Sequence, residues 1–182
     1  MPADKIIGSG YKSPTQMNNL ITYVMENPKH QTNGLFGGNM VLIGPASYVY
    51  KQMMDVKEYY RKTDGYMMRH IIVSLSKYEM QFIDPKQFYI IGMRICGLFP
   101  EYQSVFCINM ETDHMHMHLA LNTVSFVDGR KLQLGSVYQI RNAIRSIISE
   151  YIPLPAALNG LEHREYTTST FSEEMEIQMV TA

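Results

Sequence analysis

Apolar residues along the chain recur at helical spacing in four stretches and alternate with polar ones in between. Met17, Leu20, Ile21, Val24 and Met25 follow the spacing of one buried helical stripe. Ser13-Pro14-Thr15-Gln16 supplies a start signal for that helix, and Pro28 predicts its end near Glu26 or Asn27. At about 100° per residue, Tyr23 lies roughly 130° from the centre of the stripe, on the helix flank. Lys29 to Gly38 reads as a loop, and Asn39 to Ile43 as a short buried strand stopped by Gly44-Pro45. A second helix is expected from about Ser47 to Lys62, with Val49, Met53, Val56 and Tyr60 inward. Thr63-Asp64-Gly65 is a turn, and Tyr66 to Leu75 a strand with Ile71, Val73 and Leu75 on one side and His70, Ile72 and Ser74 on the other. Asp84-Pro85-Lys86-Gln87 opens a third helix to about Leu98, followed by a strand from Gln103 to Asn109.

Residues 110–113 turn that strand back into an antiparallel partner, and Asp128-Gly129 marks a hairpin within Val124 to Leu132. A fourth helix opens at Ser136 and runs to about Tyr151, with Val137, Ile140, Ile144, Ile147 and Ile148 inward. Arg141 and Arg145 fall one turn apart on its flank, where a solvated face is the ordinary explanation. The order predicts an α+β domain over residues 1–152, with an approximately five-stranded, mainly antiparallel sheet covered by helices. From Pro153 the pattern dissolves, and residues 153–182 are expected to be an acidic tail or the start of a further extension.

One strand carries more than packing information. Half of the six histidines, His114, His116 and His118, fall within five residues and alternate with Met115, Met117 and Leu119. Alternation places the three imidazoles on one face, about 6.6 Å apart along the strand, and the apolar residues on the other. Two imidazoles at that spacing can lean onto one ion. A polar, solvent-facing strand surface would produce the same pattern. The flanking Glu111 and Asp113, and Asn122 beyond, favour a metal-binding face that needs further ligands from elsewhere.

The hydrophobic fraction of 46% against 18% charged excludes a disordered chain. Cys96 and Cys107 offer no disulfide framework, which suits a reducing compartment. The N-terminal residues lack a secretory pattern, and no apolar run is long enough to span a bilayer. The net charge of −1 is uneven. Residues 1–150 hold 15 basic and 12 acidic side chains, whereas residues 151–182 hold five glutamates and one arginine. A mildly basic body permits a nucleic-acid partner without requiring one.

Thr112 to Lys131, with its His-x-His-x-His run, closely resembles the third motif of relaxases, the mobilisation nucleases of conjugative plasmids and integrative elements in the HUH endonuclease class. Leu20 to Lys29 resembles the family's first motif, Lys62 to Leu75 its second motif region, and Tyr138-x-x-Arg141 the segment after the hairpin. The resemblance covers about residues 15–155 and implies an HUH endonuclease-like fold. It also implies site-specific nicking and re-joining of one DNA strand at an origin of transfer, through a 5′-phosphotyrosine intermediate. By the same resemblance Tyr23 is the nucleophile, and His116 and His118 are two of three metal histidines. The third family histidine falls at Asn109, a far poorer ligand, and the acidic residue two further on is Glu111. Asn109 as a weak oxygen ligand, or His114 or Glu111, would complete the shell around a divalent ion, with Mg or Mn expected first.

Lys131, Arg141, Arg145, His70 and Ser74 become candidate DNA contacts, although sheet structure is the default account of His70 and Ser74. The implied partners are single-stranded or hairpin DNA and accessory relaxosome proteins, in a bacterial cytoplasm. Two alternatives stay open: a DNA-binding module of the same fold with weak or no nicking, and a replication-initiator nuclease of the same class.

Overall fold

The computed structural model describes residues 5–7, 11–27, 35–110 and 114–153. Five strands form one antiparallel sheet in the order β1-β3-β5-β4-β2. These are β1 (Lys5–Ile7), β2 (Phe36–Asn39), β3 (Met68–Ser74), β4 (Ser104–Asn109) and β5 (His116–Asn122). Among the described residues four helices, α1 (Pro14–Glu26), α2 (Ala46–Tyr59), α3 (Pro85–Cys96) and α4 (Val137–Ser149), complete the α+β fold. Among the described residues no helix is long and apolar enough to cross a membrane. Glu111 and the expected tail after Pro153 lie outside the described residues.

Both faces of the sheet are covered. Ile71, Val73, Phe106, Ile108, Met117, Leu119 and Leu121 pack against α3 and α4 through Phe88, Ile91, Ile95, Ile144, Ile147 and Ile148. Met68, Val105, Cys107 and Ala120 on the opposite face pack against α1 and α2 through Met17, Leu20, Ile21, Val24, Val49 and Met53. The face carrying the histidines is therefore the one that α1 and α2 cover.

The start signals of α1 and α3 form as their sequences dictate. Ser13 Oγ accepts from the Gln16 amide at 3.2 Å, and Gln16 Oε1 accepts from the Ser13 amide at 3.1 Å. Asp84 and Gln87 repeat the exchange at 2.7 and 2.8 Å. Each satisfies amides that the first turn leaves without partners. Ser13→Ala should lower stability by about 1 kcal/mol, read as a shifted urea midpoint at unchanged slope. Because α1 carries Tyr23, the same change should loosen the site.

Other expectations are corrected. The second strand is Phe36–Asn39 and not Asn39–Ile43. Met40 turns the chain at φ 55°, and Leu42 and Ile43 are exposed. Gly37 and Gly38 belong in the strand because side chains would not fit there. A Cβ at Gly37 would lie 2.4 Å from the Phe106 ring, and one at Gly38 2.4 Å from the Ser104 carbonyl. On α2 the deeply buried residue beside Met53 is Lys57, while Tyr60 turns aside and donates its hydroxyl to the Val127 carbonyl at 2.8 Å. The expected hairpin at 124–132 is a tight turn with a single bridge, Val124 to Lys131, and Gly129 at φ 72°. On α4, Val137 is exposed and not inward. Strand β1 has no counterpart in the sequence reading.

Candidate active site

The register of the three central strands stacks the candidate residues in rows on the face beneath α1. Cross-strand partners share a face, so Ser74, His116 and Asn109 form one row. Ile72, His118 and Cys107 form the next, and His70, Ala120 and Val105 the third. Strand β5 begins at His116, and His114 lies just before it, exposed. Only His116 and His118 of the three alternating histidines therefore share the strand face.

Tyr23 reaches this face from α1. Its ring meets the His118 ring almost perpendicularly at 5.2 Å between centroids, and His70 at 6.2 Å. The phenol is 40% exposed, so a ligand can reach it from solvent while the helix holds it in place. Burial raises its pKa above the ordinary phenol value, and the neighbouring Cys107 adds to the rise. Cys107 itself is pushed up to about 12 by burial, which leaves it a neutral thiol under the site.

The imidazoles are connected. His70 Nε2 lies 3.1 Å from His118 Nδ1, a diagonal contact across β3 and β5, and His70 Nδ1 lies 3.3 Å from the Tyr11 hydroxyl. His70 and His118 are 4% and 6% exposed, so His70 is an interior partner of His118 and not a surface contact. His116 Nδ1 is 3.0 Å from the His114 carbonyl oxygen, which can only accept. Nδ1 therefore carries the proton, and Nε2 bears the lone pair. For His118 two proton arrangements satisfy the chain. In one, His118 Nδ1 donates to His70 and His70 Nδ1 donates to the Tyr11 oxygen, leaving a lone pair on His118 Nε2. In the other Tyr11 donates to His70, His70 donates to His118, and His118 Nε2 is protonated. The first arrangement makes both His116 and His118 competent metal ligands.

The rings of His116 and His118 lie 5.0 Å apart, close enough to share an ion. Asn109, directly across from His116 and nearly buried, adds a neutral carboxamide. Among the described residues no three His, Cys, Asp or Glu side chains converge on a point. His116, His118 and Asn109 together offer two imidazole nitrogens and one amide oxygen, a set poorer in strong ligands than a closed transition-metal site.

The remaining candidates are dispersed. Arg145 binds Glu79 Oε1 at 3.0 Å, with both side chains largely shielded from solvent, and reaches the Ser74 carbonyl at 3.5 Å. Glu79 also accepts from the amide and hydroxyl of Ser76. Arg145 thus clamps α4 to the end of β3 next to the Ser74 row, in place of the solvated flank expected for it. Arg141 is half-buried on α4, and Ser74 half-buried at its strand end. Lys131 pairs with Asp64 at 2.9 Å at the opposite end of the sheet.

Sequence reasoning missed Tyr11 and Cys107. The His70–His118 contact depends on the β3–β5 register, which alternation within one strand cannot supply. No pattern around Tyr11 marks it.

An accessible phenol is set against paired imidazoles at the centre of the antiparallel sheet. The chain belongs to the relaxase family: the model of the MobA/VirD2-like nuclease domain matches residues 23–152, a span that opens at Tyr23 and contains every strand of the site. No curated protein matches the chain closely enough to count as a relative.

Proposed function

We propose that this protein nicks and re-joins one strand of DNA at an origin of transfer, with Tyr23 as the nucleophile. The observation that carries the reading is the seating of Tyr23 over His118 within a chain of the relaxase nuclease family. In the reaction, Tyr23 Oη forms a bond to phosphorus and the bond from phosphorus to the 3′ oxygen breaks. The products are a 5′-phosphotyrosine and a 3′-hydroxyl. The phenol gives up one proton and the departing oxygen gains one, so the step is balanced. Reversal by the 3′-hydroxyl re-joins the strand without a nucleotide cofactor.

His118, His116 and Asn109 would hold a divalent ion, Mg or Mn in preference, which when bound polarises the phosphate and offsets charge on its oxygens. His70 and Tyr11 keep the His118 ring in place, as outer partners of ligating histidines do. Since burial holds the Tyr23 phenol protonated at neutral pH, a base or nearby positive charge must assist its ionisation.

A second reading, single-strand binding with little nicking, draws support from Asn109 at the position where the family has histidine. The two separate in one experiment. The protein is incubated with supercoiled plasmid carrying an origin of transfer and Mn or Mg, then quenched with detergent. A covalent protein–DNA adduct is expected. Binding without an adduct under either metal would favour the second reading.

A further inference from the structure

At the end of the sheet away from His116, Tyr66, Arg69, Thr123 and Lys131 line an open cavity of about 280 Å³. Among the described residues its lining carries two cations, Arg69 and Lys131, and no carboxylate. The Arg69 guanidinium lies 4.2 Å from the centroid of the Tyr66 ring, and Lys12 Nζ lies 5.1 Å from it. Lys131 adds a third cation, and the carboxylate at the rim, Asp64, is itself well exposed and held to Lys131. Behind the wall is Lys57, completely buried, with Nζ 3.2 Å from Thr123 Oγ1. Among the described residues that hydroxyl is its side chain's one hydrogen-bond partner, and Thr123 accepts there while giving its own proton to the Tyr66 and Met67 carbonyls. Burying an ammonium without a carboxylate is costly, and a second cation in Lys131 nearby makes it more so. An anion in the cleft would relieve that cost for all of these cations together.

The cleft and the Tyr23 site are joined by consecutive residues. Tyr11 reaches His70 with its hydroxyl, while Lys12 lies over Tyr66. Along β5, His118 and Thr123 are five residues apart, about 16 Å of extended chain. The link from the site to the cleft is thus at the sheet edge, through Tyr11 and Lys12, and a polyanion following it would meet both, whereas a single small anion cannot fill both.

We propose that the cleft between Tyr66, Arg69 and Lys131 binds a backbone phosphate of single-stranded DNA a short distance along the strand from the scissile one, with Lys57 behind Thr123 taking up or keeping its proton when the phosphate is bound. This rests on the DNA-nicking reading for the identity of the polyanion. A phosphate is favoured over a base because the aromatic ring in the cleft is already occupied by cations. The displaced partner is Asp64, which returns to solvent.

The test measures binding of a fluorescent single-stranded oligonucleotide against salt concentration. It compares the wild type with Arg69→Gln, Lys131→Gln, Lys57→Met and, as a remote control, Lys51→Gln. Arg69→Gln and Lys131→Gln should each weaken binding about five- to tenfold and reduce the slope of log K against log salt by about 0.7, as loss of one phosphate contact does. Lys57→Met, which puts an apolar chain of similar length into an apolar site, should weaken binding about threefold and guards against misfolding as the cause. Lys51→Gln should change affinity less than about twofold, since Lys51 is an exposed residue paired with Asp55.

Wild-type slopes in all three cleft variants would overturn the proposal. So would stabilisation of the protein by inorganic phosphate with oligonucleotide affinity untouched in the variants, which would make the cleft a free-anion site. Adduct formation through Tyr23, assayed separately, distinguishes the two readings. An adduct with unchanged slopes removes the cleft and leaves nicking standing, and lowered slopes without an adduct do the reverse. No oligonucleotide binding by the wild type would remove both.

Discussion

Tyr23→Phe is expected to eliminate the detergent-stable protein–DNA adduct and to reduce nicking below about a thousandth of the wild-type rate, while single-strand affinity changes less than about threefold. The substitution removes one oxygen and keeps the ring that packs against His118, so loss of activity would report the missing nucleophile and not a displaced helix. Tyr11 is the other phenol close to the imidazoles, and it is a poor substitute. Its hydroxyl is bonded to His70, and burial raises its pKa as it does that of Tyr23. Tyr11→Phe should therefore keep the adduct and instead shift the metal concentration needed to form it, by removing the hydrogen-bond partner that holds His70 against His118. Retention of the adduct in Tyr23→Phe, with Tyr11→Phe losing it, would transfer the nucleophile to Tyr11. The pH profile gives a third check: attack should accelerate about tenfold per pH unit below the phenol pKa in the absence of metal, and less steeply with a cation present.

Lys57→Met should stabilise the protein, most strongly at low pH. Burial lowers the pKa of Lys57 to about 7 from the ordinary 10.5, and Lys131 contributes in the same direction. Below pH 7 the folded and unfolded chains both carry the proton, and the cost of the buried charge is fully present. Between pH 7 and 10.5 the unfolded chain holds a proton that the folded one has released, so stability rises with pH. Above 10.5 both forms are neutral and the cost is gone. The interval corresponds to about 5 kcal/mol, from which the lost Thr123 bond subtracts, leaving an expected gain of about 2–4 kcal/mol at pH 6. Urea unfolding at pH 6, 7.5 and 9 in a buffer free of phosphate would show the wild type gaining on the variant as pH rises. Parallel stabilities across that range would mean that Lys57 is neutral for another reason or hydrated.

The helices were legible wherever capping chemistry and a buried stripe agreed. Ser13 and Asp84 announced α1 and α3 almost to the residue, and the flank position of Tyr23 followed from the same periodicity. Alternation likewise located β3, β4 and β5. It could not show that the histidine face is roofed, since covering depends on where α1 docks and not on β5. The error at β2 has the same origin. Met40, Leu42 and Ile43 look like a core strand, but the strand belongs to Gly37 and Gly38, whose absent side chains admit the Phe106 ring and the Ser104 carbonyl. Lys57 was unreadable because a lysine in the inward register of a helix is ordinarily assigned to the surface. The position of Arg145 depended on Glu79, 66 residues away, in a short turn without periodic signal.

The sheet has one more property that bears on handling the protein at high concentration. Its two outermost members, β1 and β2, are three and four residues long, and β2 is half glycine. Short, weakly templating borders give a neighbouring molecule little unpaired backbone to add onto, so edge-to-edge growth into fibres is disfavoured.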